Sequence, residues 1–168
     1  GELRSAAWAE FDLDAAMWTI PAARMKRRVE GKKNGDPHLV PLSTQAVAIL
    51  LKLHPLTGSG ALVFPGERSH DRPISDNTLR AALLTLGYGP DVQSVHGFRA
   101  TARTILAEVL EFDPNVIEAQ LAHAVKDANG RAYNRTTYMK HRAAMMQQWA
   151  DYLDKLAVGG DVLHFKAA

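Results

Sequence analysis

Apolar residues follow two periods along this chain, and the change from one to the other falls near Ser43. Before it, apolar positions alternate with polar ones at Trp8 to Leu13, Met17 to Pro21 and His38 to Pro41, which predicts three short strands of an antiparallel sheet. After it the period is helical. Ser43 or Thr44 serves as an N-cap ahead of Ala46, Val47, Ile49, Leu50 and Leu53. A connector from His54 to Gly66, carrying the short run Leu62-Val63-Phe64, leads to Ser75-Asp76, a capping pair that predicts a helix to about Leu86. Further helices are predicted over His96 to Leu110, Pro114 to His123 and Thr136 to Leu156, with Met145, Met146, Trp149 and Leu153 as an ordinary core stripe. Gly1 to Trp8 reads as the tail of a helix that starts upstream, since it has no cap and begins in mid-pattern. The fold class expected is α+β and mostly helical, a small three-stranded antiparallel sheet packed against a helical bundle. One domain is expected over residues 1–157, followed by a tail over 158–168.

Composition narrows the setting. A chain of 168 residues that is 46% hydrophobic can sustain one full core. No apolar run is long enough for a membrane span and no leader-like segment opens the chain, so a soluble, cytoplasmic protein with no membrane partner is expected. The absence of cysteine removes disulfides, thiolate-bound zinc and thiol nucleophiles together, leaving oxygen or nitrogen for any nucleophile. The formal net charge is only +2, but its distribution is uneven. Arg24, Lys26, Arg27, Arg28, Lys32 and Lys33 surround a single Glu30 in the long hairpin loop between the second and third strands, which closes through Asn34-Gly35-Asp36-Pro37. Such a cluster can contact phosphates or can simply be a solvated loop.

Candidate chemistry lies in three further places. His96 and Arg99 share one helix face at i, i+3, where an imidazole and a guanidinium can meet one phosphate. His123 ends an apolar helix in Leu121-Ala122-His123, and ten positions later Tyr133 stands between Arg131 and Arg135. Tyrosine is a weak nucleophile near neutral pH, because its ordinary pKa is about 10, unless neighbouring cations or a base favour loss of the proton. Taken singly, a surface His/Arg pair and a helix-end histidine are unremarkable. His38, His54, His70, His141 and His164 share no ligand spacing, so no metal site is expected. Tyr138 is a rival nucleophile whose place before a long helix suits packing better.

The order and spacing of these parts carry more than any one of them. Gly1-Glu2-Leu3-Arg4 with Trp8 and Asp12-Leu13-Asp14, a basic hairpin closing on Pro37 to Ser43, then His96-Gly97-Phe98-Arg99, Leu121-Ala122-His123 and Ala132-Tyr133-Asn134-Arg135 resemble the tyrosine recombinases of phages and genomic islands. The likeness spans roughly Gly1 to Leu156. It implies the catalytic fold of that family and site-specific integration or excision of DNA. It implies Tyr133 as the nucleophile that forms a 3′-phosphotyrosyl link, Arg99 on the non-bridging oxygens, His96 as proton acceptor and His123 as a further donor to the phosphate. It also implies a hairpin lysine that protonates the leaving 5′-oxygen. No cofactor or metal enters this scheme.

The lysine stays open: counting from Trp18 to Pro21 favours Lys26, counting back from Val40-Pro41-Leu42 favours Lys33, and a loop tip far from the sheet argues for Lys26. Arg24, Arg27, Arg28, Lys32, Arg131 and Arg135 are the expected DNA contacts. Glu2 matches an acidic position of the family with an expected structural role. The family's first catalytic arginine would fall just ahead of Gly1, and Arg4 is not its match, so the chain alone is expected neither to cleave nor to recombine DNA efficiently. Expected partners are double-stranded attachment-site DNA and further copies in a tetramer. The competing readings are a non-catalytic DNA-binding or accessory module of the same fold and, more distantly, a metal-dependent nuclease or a type IB topoisomerase.

Overall fold

A computed structural model of the chain describes residues 1–25, 32, 35–123 and 137–159. The chain divides into two compact units, Gly1–Ala100 and Thr101–Ala168. Among the described residues, no helix is long and apolar enough to cross a membrane.

The first unit holds the sheet. Strands β1 (Phe11–Asp12), β2 (Met17–Ile20) and β3 (His38–Pro41) pair antiparallel in the order β1-β2-β3. The register sets Phe11 opposite Trp18, and Ile20 opposite His38. Alternation places the predicted strands correctly but overestimates the first, because Trp8–Glu10 form a 3₁₀ turn before β1 begins. Phe11 and Trp18 stack with ring centroids 5.2 Å apart and planes 8° from parallel. Such a cross-strand aromatic pair contributes roughly 0.5–1.5 kcal/mol beyond its buried area.

Helix α1 (Thr44–Thr57) starts where expected, with the Ser43 hydroxyl accepting from the Ala46 amide at 3.2 Å. It runs past the expected connector start at His54 and includes Pro55. Proline forfeits one amide donor there, yet the Gly58 N–H still reaches His54 O at 2.7 Å, so the last turn holds. Leu50 of α1, Ala6 and Val63 form the core of this unit, with Trp8, Phe11, Leu13, Trp18, Leu42, Leu53 and Phe64 packed around it. This is the predicted packing of sheet on helix, carried mainly by α1. The opening residues form turns, with Ser5 N–H to Gly1 O at 3.2 Å, in place of the predicted helix tail.

Helix α2 (Thr78–Thr85) begins later than the Ser75-Asp76 pair suggested. Ser75 bonds the Thr78 hydroxyl at 3.0 Å, while Asp76 turns to Arg4 Nε at 2.8 Å. Helix α3 (Gly97–Glu108) follows, running through the boundary between the units.

The second unit is helical. Helix α4 (Pro114–Gln120) opens with Asp113 accepting from the Asn115 amide at 2.7 Å and Pro114 in its first turn, an arrangement that satisfies one amide and needs none from proline. Helix α5 (Met139–Ala157) is entered through Tyr138 in the left-handed region at φ 51°. Leu106, Val116, Ile117 and Met145 are buried together, with Met146, Trp149 and Tyr138 packed on them. Leu153, the last residue of the predicted stripe, is instead exposed at 43%.

Candidate functional site

His96 and Arg99 stand at the start of α3, as their spacing predicted. The Gly97 amide is capped by the Ser94 hydroxyl at 2.9 Å, and the His96 carbonyl receives the Arg99 amide at 3.1 Å, so Ser94 caps the helix, His96 immediately precedes its first residue and Arg99 lies in the first turn. His96 is exposed and Arg99 half-buried. A helix start carries the positive end of the helix dipole, so a cationic side chain there adds to a field that already favours an anion.

His123 belongs to the second unit, and its placement follows from how α4 ends. Ala122 adopts φ 55°, the His123 amide bonds Glu118 O at 3.0 Å, and the Ala122 amide bonds Ala119 O at 3.3 Å. These are the paired bonds of a Schellman ending, which turns the chain back over the last helical turn. The fold-back brings His123 Nδ1 onto the Glu118 carboxylate, whose other oxygen accepts from Arg103 Nε of α3 at 2.7 Å. Burial works against ionisation of Glu118, but the hydrogen bonds and charges of Arg103 and His123 outweigh it and hold the pKa below the usual carboxylate value.

Neither Glu118 nor Arg103 was legible as a site residue. The signal for them is only positional, a carboxylate five residues ahead of His123 at a helix end. Arg142 was missed as well. It is buried at 3% exposure at the start of α5, donating to Gln120 Oε1 at 2.8 Å and toward Thr137 O at 3.4 Å, and burial lowers its pKa.

The remaining candidates fall into two groups. Arg24 lies against Glu10 at 3.3 Å and donates to Glu2 O at 2.8 Å, while Glu10 also accepts from Trp18 Nε1 at 2.9 Å, so this arginine is tied to the sheet. Lys32 is exposed. Lys26, Arg27, Arg28, Lys33, Arg131, Tyr133 and Arg135 lie outside the described residues, as does the tail beyond Gly159. Tyr138, the rival nucleophile, packs on the Met145 core as expected of a structural residue. His54 meets Trp8 edge to face at 4.8 Å, a packing role. Among the described residues, no group of three or more His, Asp or Glu side chains is placed to hold a metal ion.

Comparison with known proteins matches residues 1–140 to the phage integrase family. Prophage integrase IntA of Escherichia coli (strain K12) is 44% identical over 162 residues, covering 96% of this chain and 37% of that protein. Prophage integrase IntZ of the same strain is 41% identical, over 94% of this chain and 37% of that protein. The integrase of Enterobacteria phage P4 is 39% identical over 91% of this chain and 36% of that protein. The chain therefore spans little more than a third of these relatives, and no solved structure matches it. A family match over residues 1–140, joined by relatives that align along nearly all of its length, makes this chain a member of the phage integrase family.

Proposed function

We propose that this chain carries the strand-breaking and rejoining chemistry of a site-specific DNA recombinase, with Tyr133 as nucleophile. The observation that carries the reading is the family match over residues 1–140, a span that includes His96, Arg99, His123 and Tyr133 in the order and spacing of the resemblance.

In this scheme the Tyr133 hydroxyl oxygen attacks the scissile phosphorus, a 3′-phosphotyrosyl bond forms and the 5′-oxygen leaves. His96 accepts the phenolic proton. Arg99 holds the non-bridging oxygens through a guanidinium fork, where charge accumulates in the five-coordinate transition state. Its place in the first turn of α3 supports that role, since the helix dipole there favours the same charge. His123 donates a further hydrogen bond to the phosphate, and Lys26 or Lys33 supplies the proton taken up by the 5′-oxygen. No bond energy is lost to water, so a 5′-hydroxyl can reverse the step and rejoin strands. Arg27, Arg28, Lys32, Arg131 and Arg135, together with Arg24, supply the contacts to the DNA backbone that set position rather than sequence. Integration or excision at attachment sites, by copies assembled as a tetramer, is the corresponding whole-protein activity.

A nicked substrate that loses its 5′-hydroxyl fragment traps the covalent intermediate. The natural full-length polypeptide should form a DNA adduct that resists denaturant, and Tyr133→Phe should abolish it while DNA binding persists. Binding with no adduct from the unsubstituted protein would favour the accessory-module reading.

A further inference from the structure

Glu118 has no direct part in the proposed chemistry, yet its carboxylate joins a guanidinium and an imidazole. Arg103 reaches it from α3 and His123 from beyond the end of α4. The carboxylate is the inner member of this group: its side chain is 22% exposed, against 55% for Arg103 and 49% for His123. The peptide backbone adds a second restraint, because the His123 amide is already bonded to the Glu118 carbonyl at 3.0 Å. His123 is thus held to one residue through both its main chain and its ring, and Arg103 restrains the carboxylate from the other side.

We infer that Glu118 is the positioning residue for His123, receiving Nδ1–H and so directing Nε2 to the scissile phosphate. This rests on the proposed role of His123 as a phosphate donor. The two ring nitrogens have distinct duties in such an arrangement, and the partner of one decides what the other can do. An imidazolium donates from both at once, from Nδ1 to Glu118 and from Nε2 to a phosphate oxygen. A Glu118 held ionised by Arg103 suits this, since an ionised carboxylate can only accept. A carboxylate that orients a working imidazole in this way restricts both its tautomer and its tilt.

Two measurements test the inference separately from the reading it rests on. In ¹⁵N-labelled protein at neutral pH, ring spectra should show His123 Nδ1 carrying a proton hydrogen-bonded to a carboxylate, and Glu118→Gln should remove that signature. In the covalent trapping assay, Glu118→Gln should slow adduct formation by roughly tenfold or more, as loss of a carboxylate behind a working histidine does, with DNA binding unchanged. Glu118→Asp, which keeps the charge on a shorter arm, should recover part of that rate. Adduct formation that needs His123 but proceeds at the unsubstituted rate in a folded Glu118→Gln protein would overturn the positioning role and leave the recombinase reading intact. An unsubstituted protein that forms no adduct would instead remove the reading, and this inference with it, even where the ring spectra show the Glu118 contact.

Discussion

Arg142 Nε donates to Gln120 Oε1 at 2.8 Å, joining the first turn of α5 to the last residue of α4 although the arginine is only 3% exposed. Burying a cation is costly, and the lowered pKa of Arg142 reflects that desolvation. The arrangement persists because the guanidinium satisfies the Gln120 amide oxygen and the Thr137 carbonyl as well as itself. Arg142→Ala is expected to lower unfolding free energy by about 2–4 kcal/mol, since it leaves a void and orphans those acceptors. Arg142→Met, which refills most of the volume, should cost less. Urea unfolding of the three proteins checks the order, and equal losses would show that volume is not what Arg142 supplies.

The Glu118 cluster makes stability depend on acid. A carboxylate whose folded pKa lies below its unfolded value adds stability that is complete above the unfolded value, here 4.5, and is lost as pH falls through the folded value. Glu118→Gln cannot titrate. Thermal melts taken from neutral pH down to below about pH 4 should show a shallower decline for the variant than for the unsubstituted chain. Parallel declines would mean that Arg103 and His123 hold the carboxylate no better in the folded state than water does.

Much of the fold was legible because period-two and helical patterns report which face is buried, and the strands at Met17–Ile20 and His38–Pro41 and the cap at Ser43 fall where those patterns put them. Tertiary partners were not legible. Asp76 reads as a cap until Arg4 is seen to take it, and Arg142 looks like one more charge in a polar helix turn. Its only signal is position, for Arg142, Met145, Met146 and Trp149 follow i, i+3, i+4, i+7 on the face that meets the core. Of the site, His96, Arg99 and His123 could be proposed from spacing. The hold of Glu118 on His123 could not, because it depends on an alanine taking a left-handed conformation that alanine does not advertise.

Gly58 is required by a close approach. A Cβ added there would lie 2.6 Å from the His54 carbonyl oxygen and 2.6 Å from its ring, which is itself packed edge to face on Trp8. Rotation can displace the ring, but the carbonyl belongs to the helix. Gly58→Ala is therefore expected to destabilise the first unit by about 1–3 kcal/mol, the usual range for forced overpacking. Tryptophan fluorescence during denaturation, read in a Trp149→Phe background so that only Trp8 and Trp18 of this unit contribute, follows the loss, and an unchanged midpoint would show that the end of α1 relaxes freely.

Ala122 sets the opposite case, a residue with a side chain where glycine is the common choice. Left-handed backbone costs an L-residue roughly 1–2 kcal/mol, and Ala122 bears that cost at φ 55° to complete the Schellman ending of α4. Ala122→Gly removes the strain but also loosens the unfolded chain, which takes back about 0.4–1 kcal/mol. The expected net effect is a gain of up to about 1.6 kcal/mol from these two terms. Because the His123 amide and ring keep their bonds to Glu118, the ring spectrum of His123 should not change in the same variant. A stabilised protein with an altered His123 ring would mean that the strained alanine, more than the carboxylate, holds the histidine in place.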